Sequence, residues 1–178
     1  MADARWFRHE RHEASADGAL VESIPDGWWY SASLPGRRGV AMFMTDNDLR
    51  TQTSWNDRLA AAPATSARLA SWQPTGQSVV RAANSQCSEV VVGAGWVAAG
   101  DTAAAFDPIS ALGIGFSLRS GMEAARVAVA AIEDDAAPAT GYAASVARIY
   151  ADYRARLRGI YELEQRWPEN PFWARRHK

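Results

Sequence analysis

The sequence predicts a mixed α/β (α+β) chain, with an antiparallel sheet first, a glycine-rich strand-to-helix segment in the middle and two long helices last. Three observations predict it. Residues 4–45 hold β-type runs divided by Pro/Gly turns, residues 90–115 hold two glycine patterns behind a β-branched run, and apolar residues recur at helical spacing beyond Gly115. A chain of 178 residues suits one domain-sized unit able to bury a core. With 48% hydrophobic residues, 22% charged residues and a net charge of -1, it is not disordered by composition. That balance also gives no electrostatic footprint for nucleic acid or a membrane surface.

The first elements read as a meander: "GALVESI", "GWWYSASLP" and "GVAMFMT", separated by Pro25-Asp26-Gly27 and by the turn at residues 35–39. Within the second run Trp28, Tyr30, Ala32 and Leu34 share one face, while Trp29, Ser31 and Ser33 make a mixed opposite face. "SWNDRLAAAP" and "ATSARLASW" predict a small helical hairpin broken at Pro63, with Thr65 or Ser66 capping the second helix. β-type residues return in "SVVRAANSQC" and "EVVVGAGWVAAGD".

From Gly115 the residues Leu118, Met122, Ala125, Val129 and Ile132 form one stripe of an amphipathic helix, and Gly121 and Ala125 would let it lie close on a sheet. A longer helix is expected over residues 142–166, with Val146, Ile149, Tyr153, Leu157, Ile160 and Leu163 on one face and Pro168 as its stop. The expected division is a substrate-side sheet and hairpin over 1–88, a ligand-binding segment over 89–135 and a helical tail over 136–178.

Cys87 is the single cysteine, which excludes an intramolecular disulfide and suits a reducing cytoplasm; its expected role is a small buried filler. "MADARWFRHERHE" has no apolar export segment, and the apolar stretch 124–132 is too short to span a bilayer. His9 and His12 lack the i, i+4 spacing of a helical zinc motif and read as part of an exposed strand, so no metal is expected.

"VVVGAGWVA" satisfies G-x-G-x-x-G/A with Gly93, Gly95 and Ala98, but the chain reaches Pro108 before a helix could complete three turns. No acidic residue follows a second strand at the distance a ribose contact needs. A turn between strands is therefore expected there. "GDTAAAFDPISALGIG" is the better ligand site. A strand end delivers Gly100 and Asp101, a carboxylate suited to a polyol; Pro108 stiffens the chain; Gly113 and Gly115 admit a flat ligand over a helix N-terminus that favours negative charge.

The stretch "GWVAAGDTAAAFDPISALGIGFSLRSGMEAA" resembles the second flavin-binding motif of the FAD-dependent monooxygenase, halogenase and geranylgeranyl-reductase superfamily, G-D-A-A-x-x-x-x-P-x-x-x-x-G followed by a helix. "DGWWYSASLPGRRGVAMFMTD" is similar to the substrate-side sheet of those enzymes. The resemblance implies FAD as cofactor, with Asp101 on the ribityl hydroxyls, Gly100 in the tight turn beside them and Pro108 beside the isoalloxazine ring. Backbone N–H groups of Leu112, Gly113 and Ile114 would meet the pyrimidine edge. It also implies reduction by NAD(P)H in the complete enzyme and a small-molecule or peptide-side-chain substrate.

Trp28 and Tyr30 are the candidate wall of an aromatic substrate pocket. No residue is assigned as catalytic. Complete members begin with a βαβ unit carrying G-x-G-x-x-G, and this chain does not, so the resemblance implies a C-terminal half whose N-terminal half is missing or separately encoded. Halogenases carry G-W-x-W-x-I-P-L; Gly27, Trp28 and Leu34 fit, but Tyr30, Ala32 and Ser33 depart from it. The reading is thus nearer to monooxygenase-like flavoproteins, including those that hydroxylate a peptide side chain while maturing quinone cofactors. A halogenase is one alternative, and a non-enzymatic remnant or interaction subunit is another.

Overall fold

The computed structural model describes residues 1–9 and 18–177. His12 lies outside them. The described chain divides into two compact units, one made of residues 1–82 and 161–178, the other of residues 83–160.

The first unit is built on a five-stranded antiparallel sheet: β1 (Ala2–His9), β2 (Ala19–Ile24), β3 (Gly27–Leu34), β4 (Arg38–Met44) and, after three short helices, β5 (Trp72–Arg81). Strands β2, β3 and β4 form the expected meander, and β1 inserts between β4 and β5, giving the order β2-β3-β4-β1-β5. β5 is an edge strand, which is where Pro74 is tolerated without losing a ladder hydrogen bond.

The helices are α1 (Asn47–Arg50), α2 (Trp55–Ala60) and α3 (Pro63–Leu69). The hairpin is as expected, but its second cap is not. Pro63 is the first residue of α3 with Ala62 as N-cap, because a proline ring fits the first turn, where its missing N–H costs nothing. Thr65 is instead buried inside α3, and the Glu22 carboxylate accepts from Ala64 N, Thr65 N and the Thr65 hydroxyl, replacing a local cap.

The mixed face of β3 turns out to be the main core. Trp29 packs edge-on to Trp55, with ring centroids 4.6 Å apart, and joins Phe7, Ile24, Ala41, Phe43, Ala62, Leu69 and Trp72 in one cluster. Serine is small enough to sit beneath that cluster: Ser31 is fully buried, and Arg68 donates to its carbonyl at 3.1 Å.

The second unit contains β6 (Gln86–Cys87), β7 (Val92–Gly93), β8 (Trp96–Val97), a 3-10 turn at Gly100–Thr102, β9 (Ala104–Ala105), a 3-10 turn at Pro108–Ser110 and the helices α4 (Gly113–Ile132) and α5 (Ala137–Tyr161). β6 pairs with β9, and β7 with β8, both antiparallel. α5 starts and ends earlier than expected, and Leu163 lies beyond it, 82% exposed.

The stripe predicted for α4 is a correction. Phe116, Ser120, Ala124 and Val127 face inward, while Leu118, Met122 and Val129 are 68%, 62% and 57% exposed. α4 carries two apolar faces, and periodicity alone does not say which one the chain covers.

The chain then returns to the first unit, where α6 (Pro171–Ala174) seats Phe172 and Trp173 in buried positions and Trp173 Nε1 donates to Ile24 O at 2.9 Å. No described helix is long and apolar enough to cross a membrane.

Candidate functional site

"VVVGAG" forms a hairpin: Val92 pairs with Val97 and Gly93 with Trp96 across the turn at Ala94 and Gly95, the latter at φ +79°. The dinucleotide fingerprint is thus a two-residue turn and opens no helix, as the β-branched flanks and Pro108 foreshadow.

The second pattern is a strap between two anchored ends. Gly100 sits at φ +58°, in the left-handed region, and a Cβ there would lie 3.2 Å from Ser117 Oγ. Asp101 follows in the 3-10 turn Gly100–Thr102 with its side chain exposed, rather than at a strand terminus as the sequence suggests. Farther on, the Asp107 side chain accepts from Ile109 N at 3.0 Å and caps the turn at Pro108–Ser110, which presents Pro108 outward.

Ala111, at φ +53°, then turns the chain into α4. Leu112 is the N-cap residue and supplies no side-chain cap, so the opening N–H groups of a twenty-residue helix, at Gly113 and Ile114, keep their donor capacity. A Cβ placed on Gly113 or Gly115 would meet nothing within 4 Å, so the ground in front of the helix is open.

Three hydroxyls that sequence reasoning did not single out hold this strap. Tyr142 donates to Ala98 O at 2.7 Å, Ser120 Oγ accepts from Gly100 N at 2.9 Å, and Tyr153 Oη accepts from Asp107 N at 2.7 Å. Tyr153 Oη also bonds Ser85 Oγ, so one hydroxyl ties together the two segments that flank the β6–β9 ladder. Its ring meets Phe106 edge-on at 4.8 Å, and burial pushes its phenol above the usual tyrosine range. The available signal was a lone hydroxyl on an apolar face: Ser120 interrupts the run from Phe116 to Ala124, and Tyr153 lies on the stripe of α5.

On the substrate-side sheet, Trp28 is 2% exposed and its Nε1 donates to Tyr161 Oη at 3.3 Å. Tyr30 is half-buried on the face opposite the Trp29 core, in a row running Val21, Tyr30, Met42 and Ala4 across four strands. Val21 and nearby Trp6 on that face are 52% and 40% exposed. His9 stacks on Trp72 at 5.3 Å with Nε2 3.2 Å from Arg38 O, and no metal-binding cluster occurs among the described residues. Cys87 is half-buried and burial raises its thiol pKa, so it lacks the thiolate character of a nucleophile.

An exposed carboxylate, free helix-end donors and an uncrowded glycine platform suit a ligand that carries hydroxyls, a flat ring and negative charge. FAD has that chemistry.

No family profile matches the chain. A curated relative, the putative FAD-dependent oxidoreductase LodB of Marinomonas mediterranea, is 34% identical over 164 residues, covering 88% of this chain and 44% of its own length. Among solved structures, the myxobacterial chondrochloren halogenase CndH superposes with a TM-score of 0.85 at 18% identity, covering 98% of this chain and 44% of that one. The peptidyl tryptophan dihydroxylase QhpG does so with a TM-score of 0.74 at 24% identity, covering 99% and 43%. The chain thus spans less than half the length of the relatives it matches. In sequence it is thus similar to part of an FAD-dependent oxidoreductase, and in fold to part of the flavin-dependent halogenases.

Proposed function

We propose that this chain supplies the flavin-ring side of an FAD site in a monooxygenase-like oxidoreductase acting on an aromatic substrate. The observation that carries the reading is the anchored strap. Gly100, which precedes Asp101, is held by Ser120, Asp107, which precedes Pro108, is held by Tyr153, and the strap leads to a helix end without a side-chain N-cap over open ground.

Asp101 would accept hydrogen bonds from the ribityl hydroxyls, and Pro108 would lie beside the ring. The N–H groups at Gly113 and Ile114 would stabilise negative charge on the pyrimidine edge through donor capacity and helix dipole, and Leu112 N, which donates to Ser110 Oγ at 3.4 Å, would have to exchange that partner to join them. When bound, the cofactor supplies the redox chemistry, with NAD(P)H as reductant; the protein binds, orients and shapes the electrostatics.

Tyr30, with Trp6 and Val21 exposed on the same sheet face, would give the substrate an aromatic and aliphatic floor, and Trp28 would brace that floor through Tyr161. The substrate class in this reading is an aromatic small molecule or peptide side chain. The Marinomonas relative, called an FAD-dependent oxidoreductase, supports the cofactor, and QhpG, named for acting on peptidyl tryptophan, is in line with the substrate class.

The test is a flavin titration, followed by fluorescence, of the chain alone and joined with the remaining portion of the fold. Saturable binding of FAD that is weakened in Asp101→Ala supports the site. No binding in either form, or an unchanged Asp101→Ala, overturns it.

A further inference from the structure

We propose that Arg8 and Arg38 form an anion anchor at one end of the aromatic sheet face, so that the ligand of this face is an aromatic residue within an acidic peptide, held by a carboxylate set about 7–13 Å from the ring. The inference rests on the reading of that face as the substrate floor and adds the charge of what lies on it.

Arg8 on β1 and Arg38 on β4 are directly opposed in the antiparallel register, and both are exposed. Side chains so opposed have Cβ atoms about 4.5–5.5 Å apart, and like charges there repel. Elsewhere the chain answers its arginines with carboxylates: Arg119 with Glu123, Arg166 with Glu164, and Arg175 and Arg176 with Asp46. Among the described residues, neither Arg8 nor Arg38 has a carboxylate at ion-pair distance. Arg38 commits its Nε to Pro35 O at 3.1 Å, which leaves its two terminal nitrogens for a ligand.

The anchor is continuous with the floor. Arg8 stands two residues beyond Trp6 on β1, and Arg38 two residues before Val40 on β4, so the pair shares the face of Tyr30 and Val21. From the pair, the row of Trp6 and Val40 lies about 7 Å away and the row of Tyr30 and Met42 about 13 Å away. The two carboxylates carried by the described strands, Asp3 and Glu22, fall on the opposite face with Trp29. Glu164 meets the face at Ser23, at its other end, and is already bonded to Arg166. The remaining strand cation of the face, Arg81, lies at that same far end on the edge strand β5. A chain of net charge -1 thus presents a cationic, aromatic face that its own strands leave without a carboxylate.

These observations select the ligand. Two guanidinium groups side by side suit a carboxylate, whose oxygens accept from both and relieve their repulsion. An extended peptide advances about 3.3 Å per residue, so an acidic residue two to four positions from an aromatic one spans the gap. An anionic membrane is the weaker match, because a surface-lying protein segment of that kind is an amphipathic helix with Lys and Arg along its polar side, and this is the face of a sheet.

The experiment is a calorimetric titration of the full chain with two acetylated, amidated pentapeptides, Trp-Ser-Glu-Ser-Glu and Trp-Ser-Gln-Ser-Gln. The acidic peptide is expected to bind about tenfold more tightly at low ionic strength, as a few exposed ion pairs acting together allow. That preference should shrink severalfold at about 0.5 M salt. In the double variant Arg8→Gln with Arg38→Gln the two peptides should bind within about twofold of each other, whereas Trp6→Ala should weaken both alike. N-acetyltryptophan, whose carboxylate adjoins its ring, should bind the native chain and the double variant equally. The thermal midpoint of the double variant should hold or rise, since two opposed like charges are gone.

Equal binding of the two peptides, no binding of either, or a preference that survives the double variant overturns the proposal. So does a lowered thermal midpoint in that variant, which would give the arginines a partner within the chain. N-acetyltryptophan showing the peptide's dependence on the arginines would make the ligand a small acid, and phosphatidylserine vesicles bound through Arg8 and Arg38 in place of the peptides would make it a membrane; either result overturns the peptide. Peptides indifferent to Trp6→Ala remove the floor and the anchor with it. Flavin binding is scored separately. Selection of the acidic peptide by a chain that takes no FAD leaves the anchor standing and removes the flavin reading, whereas FAD binding without peptide selection does the reverse.

Discussion

Gly100 combines a left-handed backbone with a close neighbour, since a Cβ there would lie 3.2 Å from Ser117 Oγ, so a side chain is disfavoured on two counts. Gly100→Ala is expected to destabilise the second unit by about 1–2 kcal/mol, the cost of a left-handed L-residue, and to show as a lower thermal midpoint. Tyr153→Phe keeps the aromatic packing and removes one oxygen, leaving Asp107 N–H without its acceptor. Orphaning a buried donor costs about 1–3 kcal/mol. The variant should therefore lose stability and, in the assembled protein, flavin affinity; if both are unchanged, Tyr153 is packing alone. Asp101→Ala is the contrasting case: exposed and unpacked, it should lower flavin affinity about tenfold or more with no change in thermal midpoint, and an equal fall in stability would argue for a structural role. At this scale the motif residues could be read from the sequence because their chemistry is local. Ser120, Tyr142 and Tyr153 could not, because a hydroxyl's partner depends on which backbone segment the fold brings over it.

Elements show the same division. The meander of β2, β3 and β4 follows from alternation and turn residues, and the helical hairpin from Pro63. The place of β1 between β4 and β5 and the two-residue pairing of β6 with β9 leave no periodic trace, since both are long-range pairings made by segments short in length or poor in signal. The stripe of α4 is legible and its covered side is not, for a helix with two apolar faces looks the same in sequence whichever face the chain itself covers. One linkage between elements is testable by pH. The segment after α5 returns Glu164 to β2, where it accepts from Ser23 and from Arg166. Bonding to the Arg166 guanidinium, with Ser23 assisting, holds the Glu164 carboxyl at about 2 against an ordinary 4.5. A carboxyl lowered on folding contributes stability that is fully present above its ordinary value and is lost as pH falls through the folded one. The difference in denaturation midpoint between the native chain and Glu164→Gln should accordingly be constant above about pH 5 and shrink between pH 4.5 and 2. A difference that is flat across that window would remove the ion pair from the account of this segment.

At the scale of the whole chain, the contacts of greatest sequence separation belong to the C-terminal tail, which rebuilds the first unit from 130 and more residues away. Trp173 donates to Ile24 O at the end of β2, Phe172 and Trp173 are 1% and 2% exposed, and Arg176 bonds Asp46 at 2.7 Å with its guanidinium 3.6 Å over the Phe172 ring. Burial raises the Asp46 carboxyl, but Arg176 and Arg175 outweigh it and hold the group below its usual range, so this contact too is intact at neutral pH. The last residues of the chain therefore pack against the end of β2 and cover part of the first unit's interior. Truncating a buried aromatic to alanine costs about 3–5 kcal/mol, a large share of the 5–15 kcal/mol that holds a typical domain together. Trp173→Ala also removes the indole donor to the Ile24 carbonyl and the neighbour of Tyr161, the residue that anchors Trp28. Its expected outcome is a fall of at least about 3 kcal/mol in the unfolding free energy of the first unit, with Trp28 fluorescence shifting to the red as its cover loosens. The helices of the second unit should keep their hydrogen-exchange protection. Loss of protection in both units together would mean that they unfold as one cooperative body, and an unchanged midpoint would mean that the sheet is closed without its tail.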